Sequence, residues 1–91
     1  KIAIVFVYET FRFEVWLAGY NKQVQKEYWQ LFKNNPGHPY RLVPTTQGAD
    51  SILEHVLAEN PNFSDLQALS EQIERGVLQF VADIEGFLSA R

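Results

Sequence analysis

Residues 2–19, IAIVFVYETFRFEVWLAG, decide the fold because they contain two strand-like runs joined by a short turn. The first run, residues 2–8, is β-branched or aromatic on both alternating faces, which is typical of a strand inside a sheet and covered on both sides. In the second run, apolar residues alternate with Arg12, Glu14 and Trp16, as in a half-exposed strand. We therefore predict a β-hairpin over residues 2–18.

A helix and a short strand follow the hairpin. Asn21 has a side chain suited to cap a helix, and the chain after it predicts a helix over about residues 22–34. The Asn-Asn-Pro-Gly run at 34–37 ends that helix, and residues 40–43 form a short strand. The apolar face of the helix contains Val24, Tyr28, Leu31 and Phe32.

Residues 51–60 fit two structures. Ser51 and Glu54 have the spacing of a capping box, which favours a helix. The same apolar residues also fit a strand, and the Asn-Pro pair at 60–61 leaves little length for a stable helix. We favour the strand and keep the helix as the alternative.

A long amphipathic helix ends the chain. Ser64 and Gln67 have capping-box spacing, and Phe63 is placed to pack against Ala68. Gly76 allows a bend or a break in this helix. The apolar stripe contains Leu66, Leu69, Ile73, Val77, Phe80, Ile84 and Leu88.

These elements predict an α+β fold in the order β-β-α-β-β-α, with an antiparallel sheet of three to four strands and helices on one face. A chain of 91 residues has room for one domain, which we place over residues 1–91.

The chain contains no methionine and opens on Lys1, one residue before the first strand. We therefore expect it to be a fragment of a longer protein. If that strand has lost a covering layer, Ile2, Ile4 and Phe6 should form an exposed apolar patch or a homodimer contact.

Composition bears on partners and location. The formal net charge is -3 and the basic residues are scattered, which argues against a nucleic-acid partner. There is no cysteine, so a disulfide framework and a thiolate metal site are excluded, and we predict a cytoplasmic location. No apolar run is long enough to span a bilayer, so we expect no membrane partner.

The sequence contains no motif for catalysis, a metal or a cofactor, and we predict none of these. His38 and His55 lack further ligands at metal spacing and are expected to face solvent or cap an element. The best candidates for a pocket or an interaction surface are Arg12, Glu14, Trp16 and Trp29. The first three share a strand face, which is either a pocket wall or an ordinary solvated ion pair. Trp29 lies near the edge of the helical face, where it either completes the core or contacts a partner.

Two segments carry a resemblance. FRFEVWLAGYNKQVQKEYW (residues 11–29) and NPNFSDLQALSEQIERG (residues 60–76) resemble a family of small bacterial proteins of unknown function, over nearly the whole chain. The resemblance implies a further helical and strand-forming region ahead of Lys1 in full-length members, and it assigns no activity.

The strand containing Glu14 is also similar to domains of the restriction-endonuclease-like superfamily. That superfamily uses a lysine where this chain has Trp16, and an acidic residue on the preceding strand, whereas the first Asp here is Asp50. The resemblance therefore implies a domain without nuclease chemistry.

The function favoured by these observations is a non-catalytic binding or protein-interaction domain of a small bacterial cytoplasmic protein, with another protein or a second copy as its partner. Two alternatives remain. One is a degenerate nuclease-like or hydrolase-like domain that uses Glu14. The other is the structural half of a larger protein whose active part lies elsewhere.

Overall fold

The structure is a computed structural model that describes residues 1–90. It confirms the α+β class and the predicted order of elements. Residues 51–59, for which helix and strand were both open, form a strand. The elements are β1 (Ile2–Val7), β2 (Arg12–Ala18), α1 (Lys22–Asn34), β3 (Arg41–Leu42), β4 (Ser51–Glu59) and α2 (Leu66–Ala90).

The four strands form one antiparallel sheet in the order β1-β2-β4-β3. Within the described residues β1 pairs with β2 alone, so the prediction that this strand lies inside the sheet is wrong. An apolar run shows that both faces of a strand are apolar, but it carries no information on whether both edges are paired. Strands β2 and β4 occupy the centre, and among residues 1–90 nothing pairs with the outer edge of β1, which we call its open edge.

Strand β4 resembled a helix in sequence because its pairing with β2 is irregular. The register shifts between Phe13 and Glu14 and again between Leu17 and Ala18. Opposite these shifts, the consecutive pairs Ile52–Leu53 and Leu57–Ala58 are buried. Ile52, Leu53, Val56 and Leu57 have the i, i+1, i+4, i+5 spacing of one helical face, and the two bulges place Ile52 and Leu57 at the ends of that set.

Helix α1 has the predicted bounds and the predicted cap. Oδ1 of Asn21 accepts a 2.9 Å hydrogen bond from the Val24 N–H, which satisfies one of the free donors of the first turn. Phe32 is buried and its ring stacks on Phe87 of α2, with 4.8 Å between centroids. This ring contact joins the two helices on the core side of the sheet.

Helix α2 departs from two expectations. Its N-cap is Asp65 and not Ser64, because Oδ1 of Asp65 accepts a 3.1 Å hydrogen bond from the Ala68 N–H. The helix also runs without a break through Gly76. The close approach of Leu57 explains the glycine, since a Cβ at position 76 would lie 2.5 Å from its Cδ2.

The core lies between the two helices and one face of the sheet. Val15 on β2 and Leu53 on β4 point into it, so Glu14 and Trp16 beside Val15, and Glu54 beside Leu53, point away from the helices. We call this opposite side the polar face. The buried core residues are Val15, Phe32, Tyr40, Ile52, Leu53, Leu57, Phe80 and Ile84.

Candidate functional site

Three of the predicted site residues meet on the polar face. Arg12, Glu14 and Trp16 alternate along β2, so their side chains project to the same side of the sheet. Nε of Arg12 lies 2.6 Å from Oε2 of Glu14, and Nε1 of Trp16 donates to Oε1 of Glu14 at 2.7 Å. One carboxylate thus joins all three side chains.

Glu14 is the centre of this network. Only 4% of its surface is exposed, so its charge depends on the guanidinium of Arg12 for compensation. Each carboxylate oxygen accepts a hydrogen bond from a neighbour two residues away on the same strand. A carboxylate held in this way is poorly placed to bind a metal or to take a proton from a substrate.

A second ion pair lies beside the first. Nη1 of Arg41 is 2.8 Å from Oε1 of Glu54, and Oγ of Ser51 donates to Oε2 of Glu54 at 2.6 Å. The two pairs border an open cleft of about 260 Å³. It is lined by Arg12, Glu14, Pro39, Arg41, Glu54, His55 and Val56.

Trp29 belongs to a different part of the molecule. It is half-buried against the core, and its Nε1 donates to the carbonyl of Val43 at 2.7 Å. The amine of Lys33 lies 4.9 Å from the centroid of its ring. These contacts match the core alternative and separate Trp29 from the polar face.

Tyr40 and Asp83 form a polar contact at the border of the core. The Tyr40 hydroxyl donates to Oδ2 of Asp83, whose Oδ1 accepts a 2.8 Å bond from Nε2 of Gln79. Burial raises the pKa of Tyr40 from 10.0 to about 12, helped by the hydrogen bond to Asp83 and by that residue's negative charge.

The histidines do not form a chemical centre. His55 is exposed, whereas His38 is half-buried and its ring is edge-on to Phe32 at 5.3 Å, so a solvent-facing or capping role is wrong for His38. Among the described residues, no three His, Asp or Glu side chains are grouped so as to hold a metal ion. Neither helix, within the same residues, combines the length and apolar character needed to cross a membrane.

The open edge of β1 exposes backbone groups in a regular pattern. The Ala18 N–H donates to the Lys1 carbonyl at 2.8 Å, which makes Lys1 and Ala18 a hydrogen-bonded pair. Bonded pairs alternate along an antiparallel ladder, so the odd residues of β1 bond to β2. The N–H and C=O groups of Ile2, Ile4 and Phe6 therefore point outward, away from the sheet.

Apolar side chains accompany this edge. Ile2 is 38% exposed and Ile4 is 54% exposed, on the side of the sheet that faces α2. Between Ile4 and α2 lies an open groove of about 340 Å³, which Ile73, Val77 and Leu78 also line. The helix thus leaves the outer half of the β1 face uncovered.

An aromatic cluster continues this surface past the hairpin turn. The Phe6 ring lies 5.0 Å from Tyr8, 5.3 Å from Phe11 and 6.2 Å from Phe63, measured between centroids. Tyr8, Phe11 and Phe63 are all exposed. We call the β1 edge, the groove and this cluster together the β1 surface.

A family model described as a domain of unknown function (DUF7000) matches residues 1–88. The chain belongs to this family. The match confirms the predicted membership of an uncharacterised family. No curated protein and no solved structure gives a significant match, and the similarity of this DUF7000 chain to restriction-endonuclease-like domains is not shown.

In this DUF7000 fold, the sequence pattern on β2 correctly placed Arg12, Glu14 and Trp16 on one face. It missed Arg41 and Glu54, which lie opposite each other across β3 and β4. Their pairing depends on the register between two strands joined by a loop, and one of those strands was ambiguous in sequence. The outward groups of β1 were also missed. Of the apolar patch expected at Ile2, Ile4 and Phe6, Ile2 and Ile4 are exposed and Phe6 is half-buried.

Proposed function

We propose that this DUF7000 chain is a non-catalytic protein-interaction domain that binds an extended strand along the open edge of β1. The observation that carries the proposal is the row of outward-pointing backbone groups on Ile2, Ile4 and Phe6 beside exposed apolar side chains. A strand added there gains main-chain hydrogen bonds from the edge and side-chain contacts from the groove.

The composition of β1 supports this use. Proteins protect an open edge with charged residues, proline, bulges or very short strands, because an unprotected edge pairs with other chains. Residues 2–7 contain no charge and no proline, and the six-residue strand pairs with β2 without a register shift. At the other edge of the sheet, β3 has two residues and includes Arg41. The two edges therefore differ in the way expected if only β1 binds a partner.

The aromatic cluster supports the same surface. Phe11 and Phe63 are partly exposed and are held by ring contacts, so they offer a large apolar area at a small cost in side-chain entropy. Single exposed apolar residues are common, but a continuous patch is typical of an interaction site.

The polar face supports the non-catalytic part of the proposal. Both oxygens of Glu14 are bonded to neighbours on the same strand, which weighs against the hydrolase alternative based on this residue. The proposal also takes the 91 residues as one structural unit in the cytoplasm, with a protein and not a nucleic acid as the partner, in line with the net charge of -3.

The test is a titration followed by NMR at a chain concentration where self-association is negligible. The probe is a short blocked peptide of alternating valine and threonine, and its control has an N-methyl group on every residue. We expect the probe to slow the exchange of the Ile2, Ile4 and Phe6 amides, and the control to have no such effect because it lacks the donors for the edge.

A pair of variants locates the binding. Ile4→Pro removes an outward N–H and leaves the hydrogen bonds to β2 in place, so the fold should persist while binding is lost. Ile4→Val keeps that N–H and should bind the probe. Unchanged exchange at all three amides, or shifts confined to the polar face, would contradict the proposed function.

A further inference from the structure

We infer that the strand which completes the β1 edge is β1 of a second copy of this chain, antiparallel and related by a two-fold axis at Ile4. The inference rests on the proposed function, because it names the occupant of that edge. It is carried by the symmetry of the edge itself, which can pair with an identical edge along its whole length.

The register follows from which residues point outward. Ile2, Ile4 and Phe6 are spaced evenly about Ile4. With Ile4 opposite Ile4 of the second copy, Ile2 lies opposite Phe6 and Phe6 opposite Ile2. All three are hydrogen-bonded pairs, which supply about six inter-strand bonds.

Other registers are poorer. A two-fold axis at Ala3 or at Val5 leaves two bonded pairs within β1, or about four hydrogen bonds. If the register shifts by one residue, the free backbone N–H and C=O groups of one strand lie opposite residues of the other copy that already bond to β2. The apolar side chains of the two strands then lie on opposite faces of the sheet. The axis at Ile4 therefore satisfies the most backbone groups.

The side chains agree with this register. Ile4, the most exposed apolar residue of β1, packs against its own counterpart at the axis. A two-fold axis perpendicular to the sheet keeps both copies of α2 on the same side. The groove between Ile4 and α2 is then covered by the β1 side chains of the other copy, and the exposed Leu78 lies at its rim.

The charges agree as well. No charged residue occurs between Ile2 and Tyr8, so the two-fold axis does not bring like charges together along the strand. In this register Lys1 lies opposite Val7 of the second copy, next to the hairpin turn that carries Glu9. Each end of the paired strands thus brings a positive side chain towards a negative one.

The buried area sets the expected strength. Pairing two strands about 20 Å long and covering the apolar residues beside them buries roughly 1,000 Å² in total, the low end for a specific interface. Such a dimer should dissociate in the micromolar range, at roughly 1–100 µM. The chain should therefore be a concentration-dependent dimer.

Because the chain contains no cysteine, single cysteines report the register directly. In a bonded antiparallel pair the Cα atoms are about 5.5 Å apart, within the range for a disulfide. Ile4→Cys should give a disulfide-linked dimer under mild oxidation. Ile2→Cys should not, because the two cysteines would be offset by four residues, or about 13 Å along the strand.

Two further variants complete the test. In sedimentation, Ile4→Lys should weaken the dimer by about tenfold or more, since two ammonium groups would meet at the axis. Gln30→Lys, at an exposed site on α1, should leave the dissociation constant unchanged. Circular dichroism of both variants checks that they are folded.

The outcomes separate this inference from the proposed function. A chain that stays monomeric to millimolar concentration but still binds the valine-threonine peptide overturns self-pairing and leaves the proposed function intact. Dimerisation with cross-linking at Val5→Cys instead of Ile4→Cys overturns the register. Failure of both the peptide titration and the self-association overturns both.

Discussion

The indole N–H of Trp16 donates to Oε1 of Glu14 at 2.7 Å, on a strand where the two residues share one face. Arg12 binds the other oxygen of the same carboxylate. A charged side chain is thereby held flat and buried on the side of the sheet that the helices do not cover. The network explains how β2 occupies the centre of the sheet although every second residue is polar or amphipathic.

Glu14→Ala should reduce the free energy of unfolding by about 2–3 kcal/mol, because it leaves the Arg12 and Trp16 donors without their acceptor. Glu14→Gln keeps an oxygen for one of the two donors and should cost about 1 kcal/mol less. Urea denaturation measures both values. Equal, near-zero effects would show that the network does not stabilise the fold.

The same variants should leave self-association through β1 unchanged, because Glu14 lies on the polar face and not on the β1 surface. Sedimentation of Glu14→Gln is the matched measurement, since this variant keeps the size of the side chain. A large loss of dimer would show that the two surfaces are coupled.

Tyr40→Phe should remove the ionisation step that occurs at the highest pH when tyrosinate absorbance is followed during an alkaline titration. The pKa of Tyr40 is raised from 10.0 to about 12, so the fold favours the protonated hydroxyl. Its contribution to stability is complete below pH 10 and is lost as the pH rises through about 12. Tyrosinate absorbance of the native chain should show a step near pH 12, and Tyr40→Phe should lack it.

At neutral pH, Tyr40→Phe should also lower the free energy of unfolding by about 1–2 kcal/mol, because a hydrogen bond to a charged acceptor is lost. Asp83→Asn is the matched control, since it removes the charge and keeps an acceptor. In that variant the step should move to lower pH. A step that stays near pH 12 in Asp83→Asn would mean that burial alone raises the pKa.

Two glycines of α2 should respond oppositely to alanine. Gly86 has nothing within 4 Å of a Cβ position, so Gly86→Ala should stabilise the chain by about 0.5–1 kcal/mol through helix propensity. At Gly76 the new methyl group would meet Leu57 at 2.5 Å, inside the core. Gly76→Ala should therefore be neutral or destabilising in the same denaturation assay, and a gain equal to that of Gly86→Ala would contradict the close packing of Leu57 on Gly76.

Local patterns in the sequence were sufficient for the elements that local physics determines. The alternation on β2 and the apolar run of β1 predicted the hairpin, and the Asn21 cap with the proline after Asn34 predicted the bounds of α1. Ser64 was predicted as the cap of α2 from its capping-box spacing to Gln67, but Asp65 is an equally good capping residue type. Only the hydrogen bond to Ala68 distinguishes them.

Local sequence patterns could not predict the features that depend on strand order and register. The open edge of β1 exists because β4 pairs with the far side of β2, and no local feature of residues 2–7 encodes that choice. The Arg41–Glu54 pair likewise requires the β3–β4 register. The apolar residues Ile2 and Ile4 predicted a strand inside the sheet, whereas the structure places them on an exposed edge strand.

Phe11 offers a test of how the β1 surface is built. Its φ of 48° is in the left-handed region, which is unfavourable for a bulky residue, and its N–H donates to the Tyr8 carbonyl at 3.2 Å to close the turn. Phe11→Gly removes the ring and also the strain of a positive φ, because glycine adopts this conformation freely. Phe11→Ala removes the ring but keeps most of that strain. We expect Phe11→Gly to be more stable than Phe11→Ala by about 1 kcal/mol in urea denaturation.

Phe63 is the matched position, because it belongs to the same aromatic cluster and is not among the residues with positive φ. There the order should reverse, with Phe63→Ala at least as stable as Phe63→Gly, since glycine only adds freedom to the unfolded chain. If alanine is preferred at both positions, the turn does not hold Phe11 in a strained conformation. If glycine is preferred at position 11 alone, the chain accepts backbone strain there to keep an aromatic ring on the β1 surface, as expected for a surface that binds a partner.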